Sequence, residues 1–194
     1  MRQLLSQRPI VVALAGPNGA GKTTFYSTYL RPSGLRFVNA DVVALELGVD
    51  PYKAAELADG LRRQLVEQRE SFIFETVFSD PVGDKLVFLK DVERSGYTVV
   101  LLFIGIDGPL VSDERVAMRV LKGGHDVPVE KIKRRYPRVM ENLKRALAEL
   151  SNVRVYDNSD LKIPYRLVAT KENGANVVLQ GMTPGWLRTL LRNG

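Results

Sequence analysis

The chain has 194 residues, and its 28 lysines and arginines outnumber its 22 aspartates and glutamates, which gives a net charge of +6 at pH 7. A chain of this length suits one domain, here residues 1–194, because it can bury roughly 70 per cent of its unfolded surface without disulfides or metals. The complete lack of cysteine excludes a thiol nucleophile, a disulfide framework and a cysteine-ligated zinc site.

The first predicted element is an apolar strand over residues 10–15, preceded by nine residues that lack the apolar region of a signal peptide. No run along the chain approaches the ~20 apolar residues of a membrane span, so we expect a soluble, cytoplasmic protein without a membrane partner. The positive charge is compatible with two kinds of partner, nucleic acid and phosphorylated small molecules.

A glycine-rich segment, GPNGAGKT over residues 16–23, follows this strand directly and fits the phosphate-loop (P-loop) pattern GxxxxGK[ST]. Its glycines allow a tight turn whose N–H groups surround the oxygens of a di- or triphosphate, and the next helix adds positive charge from its N-terminus. We expect Lys22 to reach the terminal phosphates and the Thr23 hydroxyl to ligate a bridging magnesium ion. The predicted ATP-binding residues are Gly16, Pro17, Asn18, Gly19, Ala20, Gly21, Lys22, Thr23 and Thr24.

Apolar runs and helical patterns alternate after this loop, which is typical of a parallel sheet covered by helices. The predicted strands are 10–15, 36–38, 72–74, 98–106 and 153–156, and the predicted helices are 22–30, 51–70, 84–94, 109–121 and 129–150. We expect Pro137 to interrupt the last of these helices and to start a new one. The predicted fold class is therefore α/β, a three-layer P-loop NTPase of the kinase-like type.

The C-terminal part has a different pattern, with two predicted strands, 165–171 and 176–180, joined by a turn at residues 172–175. They predict a β-hairpin at the edge or on one face of the sheet. A final short helix follows Thr183, and Trp186 is interpreted as the anchor of this tail rather than as a platform for a ligand. The hairpin and helix together span about residues 162–194.

Two acidic positions follow predicted strands at the edge where neighbouring parallel strands open onto one crevice. Asp41 comes just after the second strand and is a candidate base for an acceptor hydroxyl, although it could simply cap a helix beginning near Val42. Glu75 and Thr76 follow the third strand and are candidate substrate-binding residues. The alternative for Glu75 is a solvated loop carboxylate.

Basic residues are concentrated between residues 115 and 138, on both sides of the pair Gly123–Gly124. Such segments have the composition of a lid that brings guanidinium groups to a transferring phosphoryl group, whereas the alternative is a solvated cationic face. No aromatic residues alternate with the charges, which argues against a nucleic-acid groove. His125 is interpreted as a packing residue at the hinge. The basic residues are Arg115, Arg119, Lys122, Lys131, Lys133, Arg134, Arg135 and Arg138.

Four segments, GPNGAGKT, VNAD, FIFETVFS and RVLKGGHDVPVEKIKRRYPRVMENL, together resemble the zeta toxin family of P-loop kinases. The resemblance implies an enzyme that uses ATP and magnesium to phosphorylate UDP-N-acetylglucosamine on a sugar hydroxyl. It implies that Asp41 is the general base and that Glu75 and Thr76 bind the substrate. Lys22 and Thr23 are the matching P-loop pair, and Arg119 with Arg135 match the lid arginines, with Arg134 as the alternative to Arg135. An antitoxin protein is the partner that the family implies.

The resulting hypothesis is a magnesium-dependent ATP phosphotransferase acting on a small hydroxyl-bearing substrate, such as a nucleotide sugar. Asp41, Lys22, Arg119 and Arg135 are its predicted catalytic residues, and Asp41, Glu75 and Thr76 its predicted acceptor-binding residues. The alternatives are a kinase of a nucleoside, another metabolite or a polynucleotide end, and a nucleotide-switched module that binds nucleic acid or a protein.

Overall fold

One seven-stranded sheet forms the centre of the molecule, in a computed structural model that describes residues 6–121 and 127–192. The strand order is β2-β3-β1-β4-β5-β6-β7, and the first five strands in this order are parallel, whereas β6 and β7 are antiparallel additions. This arrangement confirms the predicted α/β class and the hairpin at the sheet edge. The strands are β1 (Ile10–Ala15), β2 (Arg36–Val38), β3 (Phe72–Thr76), β4 (Thr98–Gly105), β5 (Val153–Asp157), β6 (Arg166–Lys171) and β7 (Val178–Leu179).

Helices connect the parallel strands and cover both faces of the sheet. They are α1 (Lys22–Phe25), which continues with wider turns over Tyr26–Leu30, α2 (Ala40–Leu47), α3 (Pro51–Glu67), α4 (Asp84–Arg94), α5 (Gly108–Val120), α6 (Val129–Glu149) and α7 (Gly185–Arg192). None of the helices in the described residues is both long enough and apolar enough to traverse a lipid bilayer.

The central strand β1 is buried along its whole length, which explains its uninterrupted apolar sequence IVVALA. Successive side chains of a strand point to opposite faces, so β1 contributes to two cores. Val11 and Ala13 pack on one face with residues of α3, α4 and α6. Val12 and Leu14 pack on the other face with Phe25 of α1. Helices therefore pack against both faces of the sheet at β1.

Helix α6 corrects one expectation, because it runs unbroken from Val129 to Glu149 with Pro137 inside it. Ile132 and Val139 are buried on either side of the proline, whereas Pro137 itself is exposed. An interior proline costs a helix about 3 kcal/mol through a lost hydrogen bond and a steric clash. Packing of the continuous apolar face outweighs that cost here, so the predicted break was wrong.

Strand β3 extends two residues beyond its predicted end, because Glu75 and Thr76 continue the parallel pairing with Leu14 and Ala15 of β1. Both candidate substrate-binding residues therefore belong to the sheet rather than to a loop. The backbone of β3 is fixed at these two positions by its neighbours, which limits how far their side chains can move.

Trp186 anchors the C-terminal helix, as predicted. Its side chain is 8% exposed, and its indole Nε1 donates a hydrogen bond to Asp157 Oδ1 at 3.0 Å. The ring lies directly over Gly105 of β4, where an added Cβ would overlap the indole carbons. The absence of a side chain at Gly105 thus makes the space that Trp186 fills.

Replacement of this glycine should therefore be destabilising. Gly105→Ala is expected to lower the free energy of unfolding by about 1–3 kcal/mol, the usual cost of overpacking a core. Chemical denaturation measures the change. Gly60→Ala is the matched control, because Gly60 is exposed in α3 with open space at its Cβ position, and it should raise stability by about 0.5–1 kcal/mol. A Gly105→Ala protein as stable as the wild type would contradict this account of Trp186.

Candidate functional site

A cleft of about 1060 Å³ opens where strands β1, β2 and β3 reach their carboxyl ends. The P-loop forms one end of the cleft, and the β2–α2 junction and the end of β3 form its floor. Helices α3, α4, α5 and α6 contribute the remaining walls. Ligands of open α/β sheets bind at this edge, so the cleft lies where the sequence predicts the site.

The P-loop adopts the conformation that its glycines permit. Gly19 and Gly21 have φ angles of 70° and 89°, in the left-handed region that favours glycine. A Cβ at Gly21 would lie 2.8 Å from both the Asn158 amide nitrogen and the Tyr165 hydroxyl. The glycine is therefore required by close packing as well as by backbone conformation.

Side chains from distant parts of the chain hold the carbonyl oxygens of the P-loop. The Ser112 hydroxyl donates to Asn18 O at 2.5 Å, the Asn158 amide donates to Ala20 O at 2.8 Å, and the Tyr165 hydroxyl donates to Gly21 O at 3.0 Å. Ser112 comes from α5, Asn158 follows β5, and Tyr165 precedes β6. Residues of α5, of the end of β5 and of the start of the hairpin thus hold the backbone of the P-loop.

Lys22, Thr23 and Glu75 meet at the mouth of the P-loop. Lys22 is 7% exposed, and its Nζ donates to Gly16 O and Pro17 O, each at 3.0 Å, and lies 3.9 Å from Glu75 Oε1. The Thr23 hydroxyl lies 3.2 Å from Glu75 Oε2. The predicted phosphate-binding and acceptor-binding residues are therefore in direct contact.

Asn39, which the sequence interpretation did not single out, organises the end of β2. Its Oδ1 accepts hydrogen bonds from the backbone N–H groups of Asp41 at 2.7 Å and Val42 at 3.3 Å, which makes it the N-cap of α2. Its Nδ2 donates to Glu75 Oε2 at 3.1 Å. Asp41 is consequently not the cap, and the alternative role considered for it was wrong.

Asp41 lies in the first turn of α2, exposed and lining the cleft together with Thr23 and Glu75. Its carboxylate is free of the capping duty that Asn39 performs. Arg135 of α6 lines the same cleft, where burial lowers its pKa and the negative charge of Asp41 partly opposes that effect. Asp41 and Arg135 thus share the cleft.

Arg135 and Arg134 differ in their surroundings. Arg135 lines the cleft, and its Nη1 lies 3.5 Å from the Asn18 side-chain oxygen of the P-loop, whereas Arg134 is exposed on the outer side of α6. Burial lowers the pKa of Arg135, and repulsion from Arg134 adds to that effect. Of the two, Arg135 is the one directed to the P-loop.

The side chains of two other predicted residues are not described. Arg119 belongs to helix α5, but its side chain is among the parts that the structure does not describe, and His125 lies in the segment 122–126, also outside the description. Arg115, one turn before Arg119, is described: its Nη2 donates to Ser159 O at 2.9 Å, and burial lowers its pKa. It stands beside Gly19 of the P-loop.

The far end of the cleft carries a group of charged side chains that the sequence interpretation did not identify. Arg62 is 5% exposed, pairs with Asp59, and lies 4.8 Å from the centroid of the Phe74 ring. Lys85 donates to both carboxylate oxygens of Asp59 at 2.9 Å. Burial lowers the pKa of Arg62 to about 10 and also lowers the pKa of Lys85. A buried arginine and a partly buried lysine therefore share one carboxylate at this end.

A usable signal existed for one of the missed residues. Asn158 directly follows β5, just as Asp41 and Glu75 stand near the ends of their strands, so the same crevice argument would have selected it. Tyr165 carried no such signal, because it meets Gly21 from 144 positions away in the sequence.

Comparisons with known proteins agree with this architecture. A family model described as Zeta toxin matches residues 50–166, more than half of the chain, a range that includes Glu75, Thr76 and Arg135 but begins after the P-loop and Asp41. An uncharacterized protein of Haemophilus influenzae is 27% identical over 127 residues, which cover 62% of this chain and 88% of that protein.

Two solved structures share the fold. A chain of the AvrRxo1-ORF1:AvrRxo1-ORF2 complex, crystallised with sulphate ions, superposes with a TM-score of 0.69 at 19% identity; the match covers 92% of this chain but only 63% of that one. A chain of the PezAT chromosomal toxin-antitoxin system of Streptococcus pneumoniae superposes with a TM-score of 0.63 at 18% identity and covers 97% of this chain and 85% of that one. With the match to the family model, this likeness confirms the resemblance seen in the sequence: the chain belongs to the zeta toxin family.

Proposed function

We propose that this protein is an ATP- and magnesium-dependent kinase that transfers a phosphoryl group to a hydroxyl of a small molecule. One observation carries the proposal: Lys22, Thr23, Glu75, Asp41 and Arg135 all line a single cleft. Phosphoryl transfer needs cations on the phosphates, a residue that handles the acceptor proton and positive charge over the transferred group. These five residues supply each of those parts.

ATP binding follows from the P-loop. Its backbone and Lys22 would hold the β- and γ-phosphates, and Lys22 would exchange part of its contact with Gly16 O and Pro17 O for phosphate oxygens. A crystal structure of the AvrRxo1-ORF1:-ORF2 complex with ATP, at a TM-score of 0.68 and 19% identity, supports ATP as the nucleotide.

The oxygen donors at the mouth of the P-loop fit a magnesium ion. The Thr23 hydroxyl and the Glu75 carboxylate lie 3.2 Å apart, and magnesium prefers oxygen ligands, most of them water and phosphate. No cluster of three or more His, Cys, Asp or Glu suited to a metal occurs in residues 6–121 and 127–192, so protein ligands alone would not hold the ion. When bound, magnesium would neutralise phosphate charge.

Asp41 would act on the acceptor. Its carboxylate would accept the proton of the attacking hydroxyl while the hydroxyl oxygen bonds to the γ-phosphorus and the bond from that phosphorus to the ADP oxygen breaks. Arg135 would stabilise the charge on the equatorial phosphoryl oxygens, because its guanidinium is charged at any physiological pH and faces the P-loop. Arg119 remains a predicted second lid arginine.

A nucleotide sugar such as UDP-N-acetylglucosamine is the acceptor that the family suggests. A cleft of about 1060 Å³ is large for a single ligand and leaves room beside ATP, towards Arg62 and Lys85. The likeness to the PezAT system supports an antitoxin protein as a partner.

The acceptor can be identified by mass spectrometry. Incubation of the protein with ATP, Mg²⁺ and UDP-N-acetylglucosamine is expected to yield a nucleotide sugar heavier by one phosphoryl group, together with ADP. Nucleosides, other sugars and polynucleotide 5′ ends are tested in parallel. Phosphorylation of one of those instead would replace the proposed acceptor while keeping the kinase, and ADP release that no acceptor accelerates would contradict the transferase.

Removal of the proposed base should stop transfer without removing ATP. Asp41→Asn keeps the size of the side chain and leaves the Asn39 cap of α2 intact, so turnover should fall by about a hundredfold or more while ATP affinity changes little. Steady-state kinetics and calorimetric ATP titration measure the two effects. Full turnover in this variant would remove Asp41 from the mechanism.

Adjacent arginines provide a matched pair for the lid. Arg135→Ala should lower turnover by about a thousandfold, because a guanidinium that reaches the transferring phosphoryl group contributes at least that much. Arg134→Ala removes the same charge from the exposed side of α6 and should remain near wild type. Equal losses in the two variants would indicate a general effect of net charge instead.

A further inference from the structure

Asn39 connects the backbone at Asp41 to the carboxylate of Glu75. It is 7% exposed, and both ends of its amide form hydrogen bonds, with Oδ1 facing the first turn of α2 and Nδ2 facing Glu75. Oδ1 bonds to the backbone of Asp41, and Nδ2 bonds to Glu75. One planar amide therefore links Asp41, which would take the acceptor proton, to Glu75, which contacts Thr23.

The chemistry of this position is specific to an amide. Oδ1 must accept hydrogen bonds from the N–H groups of Asp41 and Val42, and Nδ2 must donate to the Glu75 carboxylate. Asparagine supplies an acceptor and a donor at fixed separation, whereas aspartate supplies acceptors alone and serine has one short hydroxyl. Capping by itself would be served equally well by aspartate or serine. The donor is what distinguishes Asn39 from an ordinary cap.

The contacts of Glu75 show what the donor does. Its Oε2 receives hydrogen bonds from both Asn39 at 3.1 Å and Thr23 at 3.2 Å, and its Oε1 lies 3.9 Å from Lys22. The Asn39 amide and the Thr23 hydroxyl therefore bond to the same carboxylate oxygen, and Asn39 adds a second restraint on the position of that oxygen. Asn39 also caps α2, so a displacement of Asn39 would shift the start of α2 and hence Asp41.

We infer that Asn39 is a positioning residue that fixes the backbone at Asp41 relative to the Glu75 carboxylate, and so couples the acceptor side of the cleft to the magnesium-ATP side. This inference rests on the proposed function, which gives Asp41 and Glu75 their tasks. In this role Asn39 acts through the residues on either side of it.

Asn39→Asp tests the donor and keeps the cap. The new carboxylate still accepts hydrogen bonds from the N–H groups of Asp41 and Val42, but it has no N–H group to donate to Glu75. The expected result is a loss of about tenfold to a hundredfold in kcat, the usual effect of removing a partner that orients a ligand.

Asp50→Asn is the matched control. Asp50 caps α3 through Oδ1, which accepts from Tyr52 N at 2.9 Å and Lys53 N at 3.1 Å. The control therefore replaces aspartate by asparagine at a similar helix cap that does not contact Glu75. Its kcat should match that of the wild type. Thermal unfolding of both variants separates loss of stability from loss of positioning.

A double variant tests the route of the effect. In Asn39→Asp with Glu75→Gln, the glutamine amide can donate to the new aspartate, so Asn39→Asp should cost less in this background than in the wild type. Equal costs in the two backgrounds, or an Asn39→Asp enzyme with wild-type kcat, would overturn the inference.

The affinity for Mg²⁺-ATP, measured by calorimetry, gives a readout that needs no acceptor. It should weaken in Asn39→Asp and stay unchanged in Asp50→Asn. If the wild type phosphorylates no acceptor, the proposed function fails, and this affinity then decides the inference: equal affinities in the wild type and Asn39→Asp would reject it as well.

Discussion

The Glu75 carboxylate connects the segments of the chain that form the candidate site at the edge of the sheet. It receives hydrogen bonds from Thr23 at the start of α1 and from Asn39 at the end of β2, and it lies close to Lys22. Parallel pairing puts Glu75 beside Leu14 of β1, one residue beyond the pairing of Phe74 with Val38 of β2. Three segments that are far apart in the sequence thus meet at one side chain, and the sheet register determines that they do.

Residues around the C-terminal hairpin also hold the P-loop in place. Tyr165 and Asn158 hold the carbonyl oxygens of the P-loop, and Trp186 and Arg166 hydrogen-bond to the Asp157 carboxylate next to Asn158. Burial alone would raise the pKa of Asp157, but the hydrogen bonds from Ser159, Trp186 and Arg166 outweigh it and lower the pKa. The carboxylate is therefore ionised at neutral pH, and it links the tail to the loop. The hairpin therefore supports the P-loop as well as extending the edge of the sheet.

Local sequence determined much of this architecture. Strand β1, the P-loop and the start of α4 were predictable because apolar runs, glycines and helical spacing act over a few residues. Pro137 shows the limit, because its effect on α6 depended on the burial of Ile132 and Val139 against other elements. The contact of Tyr165 with Gly21 could not be predicted for the same reason. In contrast, the choice between Arg134 and Arg135 was available from helical spacing, because Arg135 lies three residues after Ile132 and four before Val139.

The indole of Trp186 has a consequence for spectroscopy. It is the one tryptophan of the chain, so the long-wavelength ultraviolet emission of the protein comes from a single, nearly buried ring. That ring is hydrogen-bonded to Asp157, and the neighbouring Asn158 is hydrogen-bonded to the P-loop, so only two short contacts separate the fluorophore from the phosphate cradle. A change in the contact between Trp186 and Asp157 would therefore alter a single emission signal, in unlabelled protein, with no second tryptophan to obscure it.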